Sequence, residues 1–343
     1  FVLAFGAVIL EAKPPGQGGG ANQPPPDPAI ALSLNGSLAV MNADGSNLTV
    51  ILAPEGRVND SSWSPDADGD PTNGYQGSLV FERQFVQNNA TRFDLWVIDV
   101  VVTDQGVAGA NLMNLVAADS GNPAWSPRGD LIAFDGVAAD QAGVFVVPAT
   151  GGDPFLVIPD PPGGFVAWAA WNPDGTHLAF ARRSDGIYSL VVKEVVDAET
   201  NELRDGPETV VIPRQAGFTR LYELDWSRSG GWIAFRGEGE GLSRSLYLVE
   251  ARESGAFSVV PSTEGSTSQA GHGPAWSPDD PATPGDETDL FLVYSESSRT
   301  GPARTLLLRQ DLITGEEVSL FNRKHEHATF PDWRRFPSVF VQP

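Results

Sequence analysis

From Leu131 to Pro148 the chain reads "LIAFDGV" and then "GVFVVP", two short apolar runs separated by polar and turn-forming residues. Paired runs of this length predict neighbouring antiparallel strands, because a helix would space its apolar positions every three to four residues. The pair recurs as "SLVFERQ" with "DLWVIDV", "HLAFARR" with "YSLVVKE", "WIAFRGE" with "SLYLVEA" and "LFLVYSE" with "TLLLRQD". Ahead of each pair stands a Trp and a turn: "SSWSPDADGD" at Trp63, "PAWSPRGD" at Trp125, "AAWNPDGT" at Trp171, "LDWSRSGG" at Trp226 and "PAWSPDDP" at Trp276. A sixth Trp phrase, "PDWRRFPS" at Trp333, ends the series, and the six are spaced 46 to 62 residues apart. That period is the one expected of propeller blades with loops of variable length.

The phrase has a physical reading. Pro presets the first corner of a turn, and Asp-Gly or Arg-Gly completes it with a side-chain acceptor and a left-handed position. The Trp ahead of it is large enough to fill the wedge between adjacent sheets, burying about 200 Å². All six tryptophans are therefore expected to be structural.

"AWSPRGDLIAFDG", "AWNPDGTHLAFARR" and "DWSRSGGWIAFRG" resemble the WD40-like Trp-Ser-Pro-Asp-Gly repeat of TolB-type six-bladed β-propellers, a repeat also seen in propeller domains of prolyl-oligopeptidase-like enzymes. The resemblance covers about residues 30–340. It implies an all-β chain folded as a single six-bladed β-propeller of four-stranded antiparallel blades. "GSLAVMNADGSNLTVIL" (36–52) reads as the outer part of a repeat with no Trp phrase before it, and "ATFPDWRRF" reads as the missing inner strand. Closure is thus expected through N-terminal strands, about 30–52, pairing with the C-terminal strand around Trp333.

The expected organisation has three parts: an apolar docking strand (1–12), a Pro/Gly-rich linker (13–29) and the propeller (30–343). "FVLAFGAVIL" is too short to span a bilayer as a helix and is apolar on both faces of an extended strand. Phe1, Val2, Leu3, Phe5, Val8, Ile9 and Leu10 are the expected subunit-docking residues. Docking into another copy without closure would build a filament, so other copies of the chain are the expected partners, with a surface or periplasmic protein as the alternative.

Composition narrows the chemistry. With 44 acidic against 22 basic residues the formal net charge is −22, which argues against nucleic acid. The absence of Cys removes disulfides and thiolate chemistry. No Gly-x-Ser-x-Gly elbow occurs, and no residues remain for the α/β-hydrolase domain that prolyl-oligopeptidase-like enzymes carry. The chain is therefore expected not to be an enzyme, a lyase or hydrolase at the channel mouth being the third reading.

No cofactor is assigned, but two metal candidates stand out. Asp66, Asp68 and Asp70 alternate around Gly69 in a loop suited to Ca²⁺. His272, His325 and His327 fall in equivalent connections of successive repeats and could meet around a Zn²⁺-like ion. Asn35, Asn47, Asn59 and Asn89 are candidate glycosylation sites and point to an extracytoplasmic location: secreted, cell surface or periplasm. The leading expectation is a non-enzymatic structural or binding propeller that self-assembles. The resemblance implies the alternative, a periplasmic propeller that binds a partner protein or peptide at its central channel.

Overall fold

The computed structural model describes residues 28–53, 55–65, 77–103, 106–117, 119–138, 140–252, 256–259, 270–277, 291–297, 305–311, 317–321 and 327–333. The docking strand, most of the linker and the Asp66–Asp70 loop lie outside them, as do His325 and the side chains of His272 and Trp333.

Among the described residues the strands pair into six four-stranded antiparallel sheets, and the fold is an all-β propeller. In chain order the strands are β1 (Ile30–Leu34), β2 (Ser37–Met41) and β3 (Thr49–Leu52), then β4 (Arg57–Trp63), β5 (Gly77–Gln87), β6 (Ala90–Thr103) and β7 (Gly106–Val116). The third set is β8 (Ser120–Trp125), β9 (Leu131–Ala138), β10 (Gln141–Pro148) and β11 (Phe155–Pro159). The fourth is β12 (Phe165–Trp171), β13 (His177–Ser184), β14 (Ile187–Glu194) and β15 (Glu208–Ile212). The fifth is β16 (Phe218–Trp226), β17 (Trp232–Gly239), β18 (Leu242–Glu250) and β19 (Phe257–Val259). The sixth is β20 (Ala270–Trp276), β21 (Phe291–Ser297), β22 (Thr305–Asp311) and β23 (Glu317–Phe321). The last strand, β24 (Ala328–Trp333), joins the first sheet, where it pairs with β1.

The turns follow from their residues. In the third sheet Ser126 N–H donates to Leu131 O and Gly129 N–H to Ser126 O, and Gly129 holds a φ of 83°. Asn172–Gly175 and Ser227–Gly230 repeat this geometry. In two of these turns the opening side chain also accepts from a residue beyond the turn, Asn172 Oδ1 from Thr176 N–H and Ser227 Oγ from Trp232 N–H, while Ser126 Oγ accepts from Arg128 N–H within its turn.

The core lies between the sheets. Along β5, Leu79 and Phe81 pack towards the first sheet with Ala31, Leu38 and Val40, while Val80 packs the other way with Ile132, Phe134 and Phe145. Period-two alternation thus feeds both faces of a sheet into separate wedges, so the strands read as nearly continuous apolar runs. The wedges continue from sheet to sheet, and one contains Ala275 of β20 together with Ile30, Leu32 and Ala328 of the first sheet.

The repeat Trp does more than fill these wedges. Trp276 N–H donates to Asp225 Oδ2 at 2.8 Å and its indole Nε1 to Asp225 O at 3.1 Å. Trp63 bonds in the same way to Asp332 Oδ2 and Asp332 O, across the first and second sheets. Trp171 Nε1 donates to Ala124 O, and Trp125 N–H to Ser62 Oγ. The residue just before one repeat Trp therefore latches the Trp of the next sheet.

Equal roles for the six tryptophans need one correction. Trp63, Trp171, Trp226 and Trp276 are buried, but Trp125 is only half-buried, and its indole turns back to Gly129 O in its own turn. Trp171→Ala is expected to lower the unfolding free energy by about 3–5 kcal/mol, with a clearly smaller loss for Trp125→Ala, both read from denaturant titrations. Asp225→Ala, which strips an acceptor from the N–H groups of Trp226 and Trp276, is expected to cost about 1–3 kcal/mol.

Candidate functional site

Each innermost strand slips its register at the same place. The ladder skips between Val58 and Ser61 on β4, Gly121 and Ala124 on β8, Ala167 and Ala170 on β12, Tyr222 and Asp225 on β16, and His272 and Ala275 on β20. The β24–β1 ladder slips in the corresponding segment of β24. A bulge leaves its extra residues unpaired and re-aims them. Residues of these segments converge, and Asp60, Asn122, Trp168, Glu223, Gly273 and Pro331 line one cavity of about 110 Å³. In five of the strands the lining residue stands three positions before the repeat Trp.

Three of these positions are left-handed without being glycine: Asn122 (φ 49°), Trp168 (φ 56°) and Glu223 (φ 55°). Asn accepts this conformation readily, whereas Trp and Glu do so at a cost and need outside restraint. Carboxylates supply it. Trp168 N–H donates to both oxygens of Asp135, at 2.9 and 3.1 Å, and Asn122 N–H donates to Glu82 Oε2 at 3.3 Å. Glu223 instead pairs with the buried Arg236 at 3.4 Å, and that guanidinium lies 4.7 Å from the Tyr222 ring centre.

These contacts form a chain across three sheets. Asn59 Nδ2 donates to Glu82 Oε1 at 2.5 Å, and Asn122 Nδ2 donates to Asp135 Oδ2 at 2.6 Å. Glu82, Asn122 and Asp135 also wall a second cavity, about 330 Å³, beside the channel.

Burial is the main influence on the acids. It pushes Asp135 up to about 7, against the pull of its bonds from Trp168 and Asn122. Burial likewise raises Glu82, opposed by Asn59 and Asn122. Asp60 is raised well above the usual carboxylate range, first by burial and then by the charges of Glu82, Glu223, Asp135 and Asp332. Unlike the others, Asp60 has no hydrogen-bond or ion-pair partner among the described residues.

Of the residues singled out from sequence, Trp63, Trp125 and Trp171 line the cavity and Asn59 joins its carboxylate network through Glu82. His327 is exposed, and its backbone exchanges hydrogen bonds with Asn35 at the β1–β2 turn. His272 sits on β20, and no His, Asp or Glu group among the described residues is arranged to hold a metal ion. Asp66, Asp68 and Asp70, together with Phe1, Val2, Leu3, Phe5, Val8, Ile9 and Leu10, lie outside the described residues. Asn35 and Asn89 are exposed at turns, Asn47 is half-buried, and the Asn59 amide is committed to Glu82. Sequence reasoning missed the channel residues. The available signal was the third position before each repeat Trp, where Asp60, Asn122, Trp168, Glu223, Gly273 and Phe330 differ while the phrase around them repeats.

No family model matches the chain, and no curated protein matches it. Solved structures do. It is similar to TolB from Acinetobacter baumannii (16% identity, TM-score 0.62), over 90% of this chain and 67% of that one. A TolB-type protein from Agrobacterium tumefaciens matches at 17% identity and TM-score 0.57, over 90% and 95% of the two chains. A chain of a nidogen/laminin complex matches at 9% identity and TM-score 0.56, over 89% and 97%. At these identities the likeness is one of fold, a TolB-like propeller.

A raised native pKa means the folded chain holds protons that the unfolded chain releases. The stability that Asp135 contributes is therefore fully present below about pH 4 and lost as pH rises through about 7. At about 1.36 kcal/mol per unit it amounts to at most roughly 4 kcal/mol. Unfolding midpoints measured from pH 4 to 8 are expected to fall across this window, and Asp135→Asn, which keeps an acceptor for Trp168 N–H, is expected to flatten the curve.

Proposed function

We propose that this chain is a non-enzymatic, extracytoplasmic binding propeller whose central channel receives a segment of a partner protein. The carrying observation is that the innermost strands all open their ladders at one level and turn dissimilar side chains into one cavity, with the backbone of Trp168 and Glu223 held in a costly conformation there. A position that varies inside an otherwise repeated phrase fits recognition better than packing. The roles of Glu82, Asp135 and Glu223 also favour binding over acid–base chemistry, because each is committed to a neighbouring backbone, amide or guanidinium group. The likeness to TolB structures supports a channel-binding reading, and the candidate glycosylation sites support the extracytoplasmic location.

We take the ring to be six blades of a WD40-like repeat, closed through the first sheet, which holds strands from both ends of the described chain. The reading as a filament subunit depends on residues 1–12 and has no supporting observation in the described residues.

Selection of a displayed peptide library on the intact chain tests the proposal. Binders are expected to lose affinity at least tenfold when Leu224→Trp narrows the channel and to keep it when the exposed outer-strand residue is changed in Val210→Thr. Binders indifferent to Leu224→Trp would place recognition elsewhere.

A further inference from the structure

Among the described residues, the channel wall holds an imbalance of charge. Glu82 and Asp135 share the amide and backbone N–H groups of Asn122, Asn59 and Trp168, and Glu223 has Arg236. Asp60 has neither a donor nor a cation among the described residues, yet it feels four other carboxylates. Asp60 lines the cavity of about 110 Å³ together with Trp168 and Glu223. An unpaired carboxylate at such a wall is costly unless something else completes it.

The opposite need is met across the cavity. Trp168, half-buried, lines the same space and packs against Tyr222 at 5.7 Å between ring centres. Indole is the best of the aromatic faces for a cation, and such a contact strengthens where water is excluded. About 110 Å³ has room for the head of one side chain and not for a folded ligand. The formal charge of −22 also draws basic partners to the surface before they reach the channel.

We propose that the channel receives the ammonium or guanidinium group of a Lys or Arg side chain from the partner protein, held between the Asp60 carboxylate and the Trp168 indole. This rests on the channel-binding reading above and adds the chemistry of the partner. The bound cation replaces the missing counter-charge of Asp60, so binding and ionisation of that residue are linked, and high salt weakens both.

The test uses the intact chain at low salt and compares acetyl-Gly-Ala-Lys-Ala-Gly-amide with the same peptide carrying norleucine for Lys, and with n-butylammonium, by calorimetry. The Lys peptide is expected to bind at least tenfold more tightly than the norleucine peptide, and Asp60→Asn is expected to remove that preference while leaving the unfolding midpoint equal or higher. Carbon-detected NMR titration of Asp60 in the unaltered chain gives an independent readout, with its midpoint falling when the Lys peptide is added. Equal affinity for the two peptides, an undiminished preference in Asp60→Asn, or an unmoved Asp60 midpoint would overturn the inference. So would n-butylammonium binding as tightly as the Lys peptide, which would make the ligand a free amine. If neutral peptides bind and still lose affinity in Leu224→Trp, the charge inference fails and the channel reading stands. If no peptide is sensitive to Leu224→Trp, the channel reading fails as well.

Discussion

Wedge-shaped sheets can meet around an axis only if something fixes how far each one slides past the next, and here Trp276 and Trp63 supply a paired hydrogen bond that does so. In each, the backbone N–H and the indole N–H both reach back to the residue that precedes the Trp of the sheet before, Asp225 for Trp276 and Asp332 for Trp63. Hydrophobic burial is non-directional and would tolerate some slip between sheets. Two hydrogen bonds from one rigid side chain and its own backbone do not. In both cases the latched residue adjoins the bulge of its strand.

That placement couples packing to the channel. The carboxylates of Glu82 and Asp135 leave their own sheets to hold the left-handed backbone of the next, at Asn122 and Trp168. The channel wall is thus built by neighbours in pairs, and no single sheet defines it. A change at position 135 acts on the orientation of an indole one sheet away.

The tryptophans, the Gly-containing turns and the paired apolar runs were legible in the sequence because each is a local signal with a local cause. Gly129, Gly175 and Gly230 stand where the turn needs a positive φ, and sequence alone places them. The half-exposure of Trp125 was not legible, since the repeat makes it look like Trp171 and only the packing of two particular sheets separates them. The channel residues were hidden for a related reason. Which residue a ladder skips depends on register between strands, and the chain carries no local mark of register. Asp60, Glu82 and Asp135 are ordinary acids in a chain with 44 of them, and only their convergence makes them a site. Of the alternating pair His325 and His327, only His327 is among the described residues, where its backbone bonds Asn35 at the β1–β2 turn.

The pairing of β24 with β1 has a consequence for how the molecule comes into being. Ile30 lies opposite Trp333 and Leu34 opposite Ala328, so the first strand waits for almost the whole chain before it gains its inner neighbour. The latch from Trp63 to Asp332 spans a sequence separation of 269 residues and waits with it. During synthesis the early sheets can assemble by local pairing, but the first sheet carries an open edge until the last strand emerges. That interval, more than the finished ring, is when the protein is exposed to mispairing with other chains.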